Sequence, residues 1–217
     1  MEMRSYILAA LLSSNLAWGT VVYSNAAAGN DRNISDVFSD NIGITQIGDQ
    51  ITLAAGPRIL NYAQVMLESF NDPVVADVTL QLFSVQGSGL TISPGSLLGS
   101  MSLTAISFPS NTRTILTFSG WNLTLPDDVI WFVSLANATS GQLGVNSFSP
   151  PTVGSSAPDY VFWGNGTSTF RTSFGGGTDD YYFVLDASDP PTPTPEPAAL
   201  WAVGAALLGF SALRSRQ

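Results

Sequence analysis

Cysteine, histidine and lysine are all missing from this sequence. Without cysteine there is no disulfide and no thiol nucleophile; without histidine the usual general base and the commonest zinc ligand are gone as well. A cysteine-free chain is compatible with any redox compartment, and 217 residues bury enough surface to be stable without cross-links. Charge is scarce too, at 11% of residues against about 25% in an ordinary soluble domain. What charge there is leans acidic. All seven basic residues are arginine, the formal net charge is −9, and between positions 20 and 195 four arginines stand against fourteen acids. Such a surface repels phosphate backbones, so no nucleic-acid partner is expected. Helical spacing is also absent: outside the two ends, no segment sustains it for a dozen residues.

The middle of the chain has a period of two. In "ADVTLQLFSV" Val78, Leu80 and Leu82 fall on one face and Asp77, Thr79 and Gln81 on the other. "DVIWFVSLAN" is apolar on both faces and reads as a central strand covered on both sides. Further strands are expected in "DQITLA", "YAQVMLESF", "GSMSLTAISF", "TRTILTFSGW", "DYVFWG" and "YYFVLDA". Turn clusters separate them at Asn71-Asp72-Pro73, Gly87-Ser88-Gly89, Ser93-Pro94-Gly95, Pro126-Asp127-Asp128 and Gly175-Gly176-Gly177. Eight to ten short strands at this spacing predict an all-β domain over 20–187. The expected form is an antiparallel β-sandwich, jelly-roll-like, with a closed barrel as the alternative. The polar stretch from about Gly29 to Asn41 reads as a partly ordered lead-in.

Few residues in this middle point to chemistry. Asp127-Asp128 and Asp179-Asp180 are adjacent acid pairs, but neighbours on a strand face opposite ways, unlike two carboxyls set across a sugar. They read as turn acids in solvent. Asp31, Asp36 and Asp40 are considered for calcium, yet no D-x-D-x-D-G loop is present. No metal or cofactor site is expected. Trp121, Trp131, Tyr181 and Tyr182 read as core aromatics. Trp163 and Tyr160 are the candidates for stacking on a sugar, because Gly164-Asn165-Gly166 puts Trp163 at a strand end.

Both ends are apolar. At the front, Arg4 precedes an apolar run over 6–12, and Ala17 and Gly19 hold the small positions of an A-x-A-like cleavage site. This is the pattern of a secretory signal helix, residues 1–19, with the cut expected between Gly19 and Thr20. At the back, 188–194 is a proline-rich linker that cannot join a ladder and is expected to be an extended stalk. Residues 198–213 are sixteen positions without charge, followed by Arg214 and Arg216. As a helix they reach about 24 Å, marginal for a bilayer, and the arginines act as stop-transfer charges. A transmembrane helix is expected there.

Pro195-Glu196-Pro197, then this short apolar helix, then terminal arginines resembles the PEP-CTERM sorting signal over residues 195–217. The resemblance implies an exosortase-type sorting enzyme as partner and export in a Gram-negative-type bacterium. It also implies transient anchoring in the membrane through the tail, then release to the cell surface or extracellular matrix near exopolysaccharide. The middle is similar to surface domains of the choice-of-anchor R type. That resemblance is carried by Pro94, Gly95, Leu97 and Leu98 of a "PG-x-L-L" loop, and by Leu125, Trp131 and Phe132 further on; it implies no shared activity. The expected function is therefore an exported, tail-sorted surface protein with a non-catalytic β domain. The alternatives are a carbohydrate-binding module for exopolysaccharide and a secreted glycosidase-like enzyme.

Overall fold

The computed structural model describes residues 19–26, 31–38, 45–88, 91–148, 151–156, 160–164, 169–173 and 180–190; the side chains of 31–37, 147, 160–163 and 169–173 are outside it. These residues form fourteen strands and no α-helix. In chain order they are β1 (Thr20–Ser24), β2 (Asp31–Val37), β3 (Gln46–Thr52), β4 (Ile59–Phe70), β5 (Val74–Gln86), β6 (Ser93–Phe108) and β7 (Arg113–Ser119). They continue as β8 (Asp128–Ala136), β9 (Gln142–Phe148), β10 (Ser155–Ser156), β11 (Tyr160–Gly164), β12 (Thr169–Ser173), β13 (Asp180–Tyr181) and β14 (Phe183–Ser188). The protein is all-β, and every pairing among the described strands is antiparallel.

The pairings nest. β5 pairs with β6, β4 with β7, β3 with β8 and β2 with β9, so each pair encloses the one before it in sequence. Laid out in space, one sheet runs β2-β9-β4-β7 and the other β3-β8-β5-β6. β11 and β12 extend the second sheet beyond β3, and β10 also pairs with β3. β4 is long enough to hold two partners end to end on one edge. β14 takes its residues 59–65 and β9 takes 67–70, while β7 lies along the other edge. β1 then pairs outside β14.

Alternation sets what each sheet buries. Val78, Leu80 and Leu82 are fully buried, while Asp77, Thr79 and Gln81 are half-buried, as the period of two predicts. β8 lies between β3 and β5 and is covered on both faces. Val129, Trp131 and Val133 enter the main core, whereas Ile130 and Phe132 join Phe83, Val85 and Ile92 in a second cluster. Trp131 and Phe183 join the two sheets, their rings stacked with centroids 4.4 Å apart and 6° between planes. Tyr181 meets Trp131 edge-on at 6.2 Å.

Three expectations change. Residues 31–37 form a strand on β9 rather than a loose lead-in, because an edge strand needs a ladder partner more than an apolar face. Ser93-Pro94-Gly95 is the start of β6, not a turn or loop. Proline is tolerated there because β6 ends its sheet and its ladder is already irregular opposite Phe83 and Val85. "QLGVNSF", which is not among the strands expected above, is β9. Among the described residues the antiparallel strands form two sheets. Elsewhere along β6, Asp77 holds a bulge: its carboxylate accepts from the Ala105 amide at 2.7 Å and from Asn137 Nδ2 at 2.6 Å, with Ala105 at φ 52°. These hydrogen bonds hold the Asp77 carboxyl below its usual range.

Candidate processing site at the paired chain ends

The first residue after the expected signal cut opens a strand. "TVVYS" is β-branched and aromatic, which suits a half-buried pleat, and it lies against β14 with Thr20 opposite Ala187, Val21 opposite Asp186 and Tyr23 opposite Leu185. The register slips between Val21 and Tyr23. Such a bulge lets successive side chains turn inward, and Val22 and Tyr23 are both buried. The far edge of β1 is also stitched down. Ala54 N donates to Val22 O at 2.8 Å, and Ser24 N donates to Val153 O at 3.0 Å. Asn25, fully buried, closes the strand: its Nδ2 donates to Tyr181 O at 2.6 Å and its Oδ1 accepts from Phe183 N at 2.9 Å.

Gly19 sits beside a carboxylate. A methyl group on Gly19 would overlap Asp186 Oδ1 and lie 2.7 Å from Asn61 Nδ2, so those two side chains would have to shift to admit it. Asp186 is 7% exposed. Its Oδ1 accepts from Asn61 Nδ2 at 2.7 Å, and Asn61 Oδ1 accepts from the Ser188 hydroxyl at 3.0 Å. No described guanidinium reaches it. Arg58 is held by Asp127 at 2.7 Å and by the carbonyls of Ala54, Gly56 and Pro57, and Arg113 pairs with Glu68 at 3.2 Å. The small residue expected before the signal cut is also the one that this corner accommodates without a shift.

The remaining expected site residues divide. Pro195, Glu196, Pro197, Arg214 and Arg216 lie outside the described residues, as do the helices expected at both ends. Among the described residues no helix is long and apolar enough to cross a membrane. Tyr160 and Trp163 are on β11, with Trp163 opposite Ile47 and Phe170, but their side chains are outside the description. Trp131 is buried, and Trp121 is half-buried with its Nε1 donating to Phe118 O at 2.8 Å. Asp127 is an exposed turn acid, whereas Asp128, also exposed, opens β8 opposite Thr52 and accepts from its hydroxyl at 2.5 Å. The side chains of Asp31, Asp36 and Asp40 are outside the description, and among the described residues no three acids gather as a metal site.

Asp180 corrects the turn-acid reading. It is buried at the start of β13, opposite Phe148. A second buried acid, Asp49, was not singled out, although its spacing from Ile47 and Ile51 puts it on the core-facing side of β3. Both carboxylates act on the Tyr23 phenol. Burial first, and then repulsion from Asp49 and Asp180, holds that phenol well above its ordinary value of about 10.

In the unfolded chain Tyr23 ionises near pH 10, whereas in the folded protein it stays protonated, so the native state binds the extra proton above that pH. This stability is complete below about pH 10 and is lost as pH rises further. Spectrophotometric titration should show one phenol ionising only together with unfolding, and Tyr23→Phe should soften the alkaline limb. An unchanged limb in Tyr23→Phe would refute this account. No family model, curated protein or solved structure matches this chain.

Proposed function

We propose that this chain is an exported cell-surface or matrix protein with a non-catalytic β body. Its signal, residues 1–19, is removed, and its tail, residues 195–217, is sorted by an exosortase-type enzyme. The body fits an antiparallel β-sandwich of jelly-roll form, because four nested antiparallel pairs laid across two sheets are what a rolled-up hairpin produces. The observation that carries the functional reading is the pairing of β1 with β14. Thr20 lies opposite Ala187, so the segment before the body and the stalk after it leave from one corner. Adjacent ends suit a body whose two flanking segments are both directed to one membrane.

The tail provides the test. Prolines 195 and 197 keep the approach to the membrane extended and leave the Glu196 carboxylate available to a sorting enzyme. Arg214 and Arg216 resist transfer, at about 2.5–3.5 kcal/mol per charge at mid-bilayer. Glu196→Ala should leave full-length protein in the membrane fraction, with signal removal and body folding unchanged. Deleting residues 214–217 should instead weaken the hold and release uncut protein. Mass spectrometry of the C-terminal peptide distinguishes the two. Wild-type protein that keeps its 214–217 end in a host with the sorting enzyme would refute sorting.

One observation favours a second reading as a carbohydrate-binding module for exopolysaccharide. On the outer face of the β4–β14 sheet, Tyr62 and Met66 pack against a cluster of Tyr182, Phe148 and Val184 beside the exposed Ile115, and Gln64 Nε2 donates to the Thr117 hydroxyl at 3.0 Å. Phe148 and Tyr182 are buried, so the ring this face offers a sugar is the half-buried Tyr62, near Gln64 and Thr117. Binding on a glycan array that is lost in Tyr62→Ala supports this reading; no binding to any acidic or neutral glycan counts against it.

A further inference from the structure

We infer that the Asp186 carboxylate is the docking site for the α-ammonium group created when the chain is cut before Thr20. The inference rests on the processing reading above and goes beyond it. Hydrolysis of the Gly19–Thr20 bond leaves a carboxylate on Gly19, which departs with the signal, and an amine on Thr20, which is protonated at neutral pH. Asp186 Oδ1 already occupies the space where a Gly19 side chain would project. The Thr20 nitrogen is two bonds from the Gly19 Cα, which puts it within about 6 Å of that oxygen by standard backbone dimensions. Removing Gly19 vacates the corner on the same side.

The carboxylate needs a partner of this kind. It is 7% exposed, and its hydrogen bond among the described residues comes from the neutral amide of Asn61. A buried carboxylate without a cation is costly, and both described guanidinium groups are engaged elsewhere. Ser188 orients Asn61, which in turn fixes the carboxylate. The site is thus formed before the ammonium exists, and cleavage supplies the missing charge at the outer end of β1. In the uncut chain the same atom is an amide nitrogen with no charge to offer.

The sequence makes the test clean. The chain has no lysine, so in the processed protein the Thr20 amine is the only primary amine. Reductive methylation of the exported protein with isotope-labelled formaldehyde, which keeps the charge, gives a single resonance whose pH titration reads that amine. N-terminal sequencing of the same sample identifies the first residue. The amine is expected to titrate about one to three units above the ordinary range of about 7.7–8.0, and Asp186→Asn is expected to return it to that range. A raised amine stabilises the fold below its unfolded value and loses that contribution as pH rises through the folded one. Unmodified protein should therefore lose stability between about pH 8 and pH 10, below the range in which Tyr23 acts, and wild-type protein acetylated at Thr20, which has no charge there, should not. An amine that titrates in the ordinary range in a protein beginning at Thr20 overturns the docking and leaves the processing reading intact. A different first residue overturns both.

Discussion

Trp131→Ala should lower stability by about 3–5 kcal/mol, the range for removing a large buried aromatic. Trp131 is completely buried, stacks on Phe183 across the two sheets and meets Tyr181 edge-on. Alanine leaves a cavity at the point where the sheets meet, and rings on the β14 side cannot follow because Phe183 and Leu185 are tied into the β4 ladder. At about 2–4 °C per kcal/mol for a body of this size, the midpoint of thermal unfolding followed by circular dichroism should fall by about 6–20 °C. Trp131→Phe separates packing from polarity. The indole Nε1 is buried with no acceptor, an arrangement that costs about 1–3 kcal/mol. Phenylalanine keeps a ring on Phe183 and removes the unmet donor, so its loss should be less than half that of alanine. A fall below about 3 °C in Trp131→Ala, under 1.5 kcal/mol on the same scale, would mean that this ring stack does not join the sheets.

Deleting residues 20–25, so that the body begins at Ala26, should abolish folding. The deletion removes Val22 and Tyr23 from the core, each worth about 1.5–3 kcal/mol of burial. It also removes the Asn25 side chain that pairs with Tyr181 O and Phe183 N, where an unmet buried group costs about 1–3 kcal/mol. The total approaches the 5–15 kcal/mol that holds a typical domain together. This bears on the proposed position of the signal cut. Ala26-Ala27-Ala28 also presents small residues at the right spacing, but a cut after it would discard β1. Soluble, cooperatively unfolding protein from the deleted chain would show that β1 is dispensable and would reopen that second site.

Strands with clean alternation were legible in the sequence. β5 announces its buried face through Val78, Leu80 and Leu82, and β8 announces two covered faces through five apolar residues in succession. Strands defined by their partners were not. β9 has Gly144 and Asn146 between Leu143, Val145 and Phe148, which reads as loop until β4 is seen beside it. β2 is recognisable only from its ladder with β9. The corner at Gly19 was half legible: small-residue spacing marks a cut, whereas Asp186 is 167 residues away and nothing local ties the two together. The buried acids show a similar split. Asp49 keeps the phase of Ile47 and Ile51, a signal present in the sequence, but Asp180 follows a glycine run and resembles a surface turn until β13 draws it inward.

The nested pairing also fixes an order of events in time. The β5–β6 turn joins residues a few positions apart, whereas β1 and β14 join the two ends of the body. Closing that outermost contact directly costs about 3 kcal/mol more in chain entropy than closing the innermost one, so the pairs are favoured to close from the inside outward. For a chain that crosses a membrane from its N-terminus, β1 arrives first and its partner β14 last. The contact of the leading strand with β14 must wait until almost the whole body has followed, although its other edge can meet Ala54 earlier. On the proposed export route, the contact that joins the two ends of the body would be the last to close.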